Sequence, residues 1–104
     1  MFQLAFFDFV KEMYFNSTII FTVYVLYSLE YNKTYTGFTS NLIERFRSHN
    51  ELGKKGFTKR YRPWIVVWVE SYESKKEAMT REKYLKSGIG RKFIREEIIP
   101  NYKH

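Results

Sequence analysis

The sequence contains no cysteine, which excludes a disulfide framework, a thiol nucleophile and any zinc site built on thiolates. A reducing cytoplasm fits that composition and is the expected location. Acidic residues are the minority, 11 Asp and Glu against 18 Lys and Arg, and the net charge is +7. Such a balance attracts polyanions. It favours nucleic acid, although an anionic membrane surface would attract the same charge. Uninterrupted apolar runs are also missing. Residues 13 to 29 carry no charge, but Asn16, Ser17, Thr18, Thr22 and Ser28 break them up. The second half of this run alternates and is rich in β-branched and aromatic residues, the mark of a half-buried strand rather than a bilayer span. Stable membrane insertion is not expected. Asp8 before Lys11, with no basic leader and no small-residue cleavage site, argues against a secretory signal. No repeat or low-complexity tract is visible. A chain of 104 residues, 44% hydrophobic and 20% aromatic, has room for one compact domain and not for a multidomain enzyme.

The charge is unevenly spread. Residues 1–20 crowd Phe2, Leu4, Phe6, Phe7, Phe9 and Val10 together at a net charge of −1, and residues 21–104 hold 17 basic against 9 acidic residues. Residues 1–20 therefore read as an apolar N-terminal extension, with Met13 as an alternative start, and 21–104 as the domain.

Within the domain, Phe21 to Leu29 reads as a strand, Glu30 to Lys33 as a turn and Thr34 to Phe38 as a second strand forming a hairpin with the first. Thr39, Ser40 and Asn41 supply caps, with Glu44 three residues after Asn41, so a helix is expected to about Asn50. Gly53 and Gly56 mark a basic loop. Trp64 to Tyr72, after Pro63, reads as a third strand. Ser74 and Glu77 form a capping box for a helix over about Lys75 to Lys86. Gly88 and Gly90 break it, and a last helix from Arg91 to about Ile99 ends at Pro100. The expected fold is α+β in the order β-β-α-β-α-α, a small three-stranded antiparallel sheet flanked by helices.

Several side chains are placed to do chemistry. A period of two puts Tyr24 with Thr22, Leu26 and Ser28 on the more polar face of the first strand. Tyr35 lies across the hairpin, with Gly37 two residues on permitting close approach of a phosphate or another backbone. With nine tyrosines in the chain, ordinary strand tyrosines are the alternative. Arg45 and His49, at i and i+4, share one helix face, a guanidinium suited to phosphate and an imidazole able to move a proton near neutral pH. An arginine that is merely solvated is the alternative for Arg45. Ala78, Glu82 and Leu85 fall on one helical stripe, so a carboxylate faces the sheet. It is either half of a salt bridge with Lys86 or a magnesium ligand, since Mg²⁺ commonly takes one or two carboxylates and completes its shell with water and phosphate. No two-metal carboxylate cluster is present. Arg47, Lys54, Lys55, Lys59, Arg60, Arg62 and Lys86 lie in two basic tracts able to follow a nucleic-acid backbone. Phe57, Tyr61 and Trp64 lie among or beside these charges as candidates for base stacking, with a core role the alternative for Trp64. No recognition helix is evident, so high sequence specificity is not expected.

Thr22-Val23-Tyr24, Tyr35-Thr36-Gly37, Arg45-x-x-x-His49 and Glu77-Ala78-x-x-x-Glu82-x-x-x-Lys86, in this order, together resemble the signature of the GIY-YIG nuclease superfamily, most closely its small single-domain bacterial members related to the nuclease domain of the excision-repair subunit. The resemblance covers about residues 21–99. It implies a metal-dependent DNA endonuclease acting in repair, recombination or mobile-element processing, or a catalytically inactive nucleic-acid-binding module of the same fold. Under it, one Mg²⁺ or Mn²⁺ would sit on Glu82, Arg45 would stabilise charge on phosphorus, and Tyr24 or Tyr35 with His49 would orient or deprotonate water. DNA is the implied partner, and a homodimer or partner protein is a route to added specificity. Two departures stand out: Thr22 replaces the first glycine, and Ser87-Gly88-Ile89-Gly90-Arg91 has no match to the asparagine that many members carry after the metal-binding helix.

Overall fold

The structure is a computed structural model that describes residues 19–52 and 56–102. The expected extension falls almost wholly outside the described residues, as do Lys54 and Lys55. Strands β1 (Phe21–Ser28), β2 (Lys33–Thr39) and β3 (Ile65–Tyr72) form an antiparallel sheet in the order β2-β1-β3. Helix α1 (Leu42–Arg47) runs into a π turn, Ser48–Leu52. Then come α2 (Phe57–Arg60), and, after β3, α3 (Lys75–Lys86), α4 (Gly88–Phe93), a second π turn Ile94–Ile98 and α5 (Ile99–Tyr102). The α+β sheet-and-helix arrangement is the one expected. No helix of the described residues is long and apolar enough to cross a membrane.

The hairpin closes through Asn32, which takes a left-handed backbone (φ 53°) and whose Oδ1 accepts from the Tyr27 hydroxyl at 2.9 Å. Asparagine tolerates that conformation better than most residues. The expected caps are in place: Asn41 Oδ1 accepts from the Glu44 N–H, and Ser74 Oγ from the Glu77 N–H.

Several expectations need correction. The first strand is not half-buried, because it is the central strand and both of its faces are covered. Val23, Val25 and Tyr27 pack with Ala78 and Leu85 of α3 and Ile94 and Ile98 of the second π turn, whereas Tyr24 and Leu26 pack with Leu42 and Trp64. Thr22 and Ser28 are buried with them. Next, the stretch after Gly56 is a short helix, not simply a loop. Finally, Gly88 and Gly90 open a helix rather than only ending one. Ser87 caps α4 by accepting from the Gly90 N–H, and a Cβ on Gly90 would collide with the Tyr84 carbonyl and the Leu85 Cα. Pro100, expected to end the last helix, lies inside α5 at its second residue, directly after the second π turn and with the backbone helical through Ile99.

Away from the tyrosines, β3 is tied to α3 by Arg81, whose Nε and second amino nitrogen reach the Glu70 carboxylate at 2.9 and 3.1 Å. Burial alone would raise the Glu70 pKa, but hydrogen bonds from Arg81, Trp68 and Tyr72 hold it below the ordinary carboxylate value. This cluster fixes α3, and with it Glu82, against the sheet.

Candidate functional site

Tyr24, on the central strand, pairs in register with Gly37 of β2. A Cβ at Gly37 would lie 2.6 Å from the Tyr24 hydroxyl and 3.1 Å from the Tyr35 ring, so the glycine is what lets the phenol lie across the neighbouring strand. The close approach anticipated at Gly37 is made by a tyrosine ring. Tyr24 and Tyr35 face each other with centroids 6.3 Å apart and planes 29° from parallel.

His49 reaches this pair from the π turn. Its Nε2 is 2.8 Å from the Tyr24 hydroxyl oxygen, and its ring centroid lies 4.5 Å from that of Tyr35. Arg45 stands near enough to His49 for its charge to act on the ring. Helix α1 ends at Arg47, short of the expected Asn50, and the π turn that follows carries His49, which is buried while Arg45 is exposed. The turn is pinned from outside. Arg62 Nε donates to the His49 carbonyl at 2.7 Å, and Asn50 both donates to the Trp64 carbonyl and accepts from the Trp64 N–H. Arg62, expected among the nucleic-acid contacts, thus spends its guanidinium on holding the histidine segment. Neither Asn50 nor this role of Arg62 is visible in the sequence, because both depend on a contact across more than ten residues.

Burial raises the Tyr24 pKa, with the neighbouring Tyr35 adding to the rise, so the phenol keeps its proton at neutral pH. Burial also lowers the His49 pKa, to about 4, helped by the positive charges of Arg45 and Arg62. The imidazole is therefore neutral at pH 7. A neutral ring and a protonated phenol are consistent with the Tyr24 O–H donating to Nε2, which leaves the phenol oxygen lone pairs toward the cleft.

That cleft, of about 400 Å³, is lined by Tyr24, Tyr35, Gly37, Arg45, Lys75 and Glu82 among others. Tyr24, Tyr35, Arg45 and Glu82, separated by up to 58 positions in the chain, thus meet at one opening, and His49 stands behind Tyr24. Lys75, the first residue of α3, was not singled out from the sequence; its place in a basic tract was the only signal. Glu82 sits on the sheet-facing stripe with the buried Ala78 and Leu85, and its Oε2 pairs with Lys86 Nζ at 3.3 Å. Lys59 and Arg60 lie apart from the cleft on α2, and Arg47 on α1.

Among the described residues no three His, Cys, Asp or Glu side chains gather as a metal cage. The donors present are one carboxylate and two phenols on the wall of an open cleft. They fit an ion that completes its shell with water and a bound phosphate, as Mg²⁺ does.

The sequence profile of the GIY-YIG catalytic domain matches residues 20–92. The chain belongs to the GIY-YIG family. Its matched segment takes in both tyrosines, Arg45, His49 and Glu82, and so spans the whole cleft. Similar proteins include the UPF0213 protein SH2523 of Staphylococcus haemolyticus, 41% identical over 54% of this chain and 68% of its own length. The UPF0213 protein YazA of Bacillus subtilis is 38% identical over 53% of this chain and 56% of its own. A third, from Limosilactobacillus reuteri, is 36% identical over 62% and 68%. The chain therefore spans between about half and two thirds of these curated relatives.

Proposed function

We propose that this GIY-YIG protein binds nucleic acid, DNA in the first instance, by seating a backbone phosphate in the cleft between Arg45, Lys75 and the two phenols. The convergence of these groups on one open wall carries the reading. Guanidinium and ammonium neutralise the phosphate, and the Tyr35 hydroxyl, whose proton is not committed to His49, donates to one of its oxygens. Lys86, Lys59, Arg60, Arg47, Lys54 and Lys55 extend the basic surface along the backbone. Pairing of Glu82 with Lys86 and the lack of a matching asparagine after α3 favour a module that binds without cutting.

A second reading, phosphodiester hydrolysis, is favoured by the hydrogen bond between Tyr24 and His49. Water held against the Tyr24 oxygen gives it a proton as the phenol's own proton passes to His49 Nε2. The resulting hydroxide attacks phosphorus, the P–O bond opposite breaks, and Arg45 stabilises the charge on the phosphoryl oxygens. A divalent cation such as Mg²⁺ or Mn²⁺ bound by Glu82 would supply Lewis-acid stabilisation of that charge and of the leaving oxygen. Tyr35, tilted against the His49 ring, helps keep it in place. Such a protein would serve repair, recombination or mobile-element processing in the cytoplasm.

The two readings separate in one assay. The pure protein, Arg45→Ala and Glu82→Ala are incubated with plasmid, branched and single-stranded DNA, with Mg²⁺ or Mn²⁺ and with chelator. Binding that Arg45→Ala weakens, with no cutting under any condition, is the outcome expected for the module. Cutting abolished by chelator and by Glu82→Ala establishes the hydrolase, and no binding at all refutes both.

A further inference from the structure

Beside the cleft, the hairpin tip and α2 bring together a group of aromatic rings that the site just described does not use. Tyr61 is the hub. Tyr31 meets it edge to face at 5.5 Å between centroids, Phe57 at 4.8 Å, and the Lys33 ammonium and Arg60 guanidinium each lie 5.4 Å from its ring centre. Tyr31 and Phe57 are each 46% exposed, a large fraction for rings of this size, and Lys33, Lys59 and Arg60 are exposed beside them. Edge-to-face contact leaves much of each ring open to solvent. Trp64, by contrast, is only 2% exposed and donates its indole N–H to the Thr58 carbonyl, so it supports the cluster from below and is no stacking surface.

The cluster is linked to the cleft through the buried Trp64 beneath it. Tyr35, on the cleft wall, meets Trp64 at 6.5 Å, and Trp64 meets Phe57 at 5.9 Å. A polyanion leaving the cleft in this direction therefore finds cations interleaved with exposed rings, and Glu30 is the only opposing charge on the hairpin tip.

We infer that Tyr31, Phe57 and Tyr61, with Lys33 and Arg60, form a stacking platform for unpaired bases, so that the strand led to the cleft is single-stranded. The inference rests on the nucleic-acid reading of the cleft and names its substrate class. Bases inside a duplex are stacked on one another and offer no free face, whereas every unpaired base offers one to an exposed ring, whatever its sequence. The cations neutralise the flanking phosphates and strengthen the stack through the ring faces. Preference for single strands without sequence preference agrees with a sequence in which no recognition helix is evident.

The test is fluorescence anisotropy of a labelled oligothymidine and of a hairpin duplex of equal nucleotide count, in chelator so that no strand is cut. The wild-type chain, the double variant Tyr31→Ala/Phe57→Ala, the bulk-preserving Tyr31→Leu/Phe57→Leu and Arg45→Ala are compared, each first checked for cooperative melting. The wild type is expected to bind the single strand at least about tenfold more tightly than the duplex. Loss of the rings should weaken single-strand binding by roughly tenfold or more and leave duplex binding unchanged. The leucine variant should match the alanine one, since packing is kept and only the aromatic faces are removed. Arg45→Ala should weaken both ligands. Equal affinity for the two ligands, untouched by the ring substitutions, overturns the platform while leaving the cleft reading intact. Failure of the wild type to bind either ligand removes the cleft reading first and this one with it. A dimer that the double variant dissolves, with single-strand affinity unchanged, would make the patch a contact between copies of the chain and also overturn the proposal.

Discussion

Gly37 matters for the volume it leaves empty. Gly37→Ala places a methyl group 2.6 Å from the Tyr24 hydroxyl, so the ring must swing away from both the cleft and His49. Nucleic-acid binding in a filter or anisotropy assay should fall, and stability by about 1–3 kcal/mol, the usual result of overpacking. His49 makes a second prediction at this scale. The unfolded chain takes up a proton on this ring near pH 6.5 and the folded chain only near pH 4. Between those values the unfolded state binds more protons, so stability is complete above about pH 6.5 and declines as the pH falls toward 4. After allowance for solvent screening at the cleft the loss is of order 1–2 kcal/mol. Urea titrations at pH 7 and pH 4.5 should show it, and His49→Gln should remove this share of the difference. Tyr24, Tyr35, Arg45 and Glu82 were legible as candidates because residue type and spacing carry them. That Gly37 is approached by a phenol was not, because the ring comes from the opposite strand, thirteen positions away.

The starts of α1 and α3 were the most legible features, since Asn41 with Glu44 and Ser74 with Glu77 write their caps into four residues. The π turn at Ser48–Leu52 leaves no such trace: it has no periodicity of its own, and the sequence alone reads α1 as running on to about Asn50. What holds the turn is long-range, and it can be tested. Arg62→Gln removes a positive charge that helps keep His49 neutral, so the His49 pKa should rise from about 4 while staying below the value of a free imidazole, because burial remains the larger cause. An NMR titration of the imidazole resonances reports this directly. Asn50→Ala strips both the N–H and the carbonyl of Trp64 of their side-chain partner. It should cost about 1–3 kcal/mol by denaturant melting and broaden the His49 signals. The second π turn, between α4 and α5, was equally hidden, and Pro100 read as a stop for the same reason.

At the scale of the whole molecule, the basic surface sets how binding responds to salt. The logarithm of the single-strand association constant should fall linearly with the logarithm of salt concentration, with a slope of roughly −0.7 for each phosphate neutralised. Arg45→Ala should make that slope shallower by a little under one unit, whereas the Tyr31 and Phe57 substitutions should lower affinity and leave the slope unchanged. The net charge was plain from composition; which cations face one another was not, because the sheet order β2-β1-β3 brings α1 and α3 to the same end of the hairpin. That order also seats Tyr24 on a strand buried on both faces, where it serves the core and the cleft at once. A Tyr24 variant that loses function would thus confound a missing hydroxyl with a loosened interior. Tyr24→Phe, which keeps the ring, or a change at the exposed Arg45 makes the cleaner inert control, and a lesion at Tyr24→Ala should be expected to lower the amount of protein in a cell before it reports anything about chemistry.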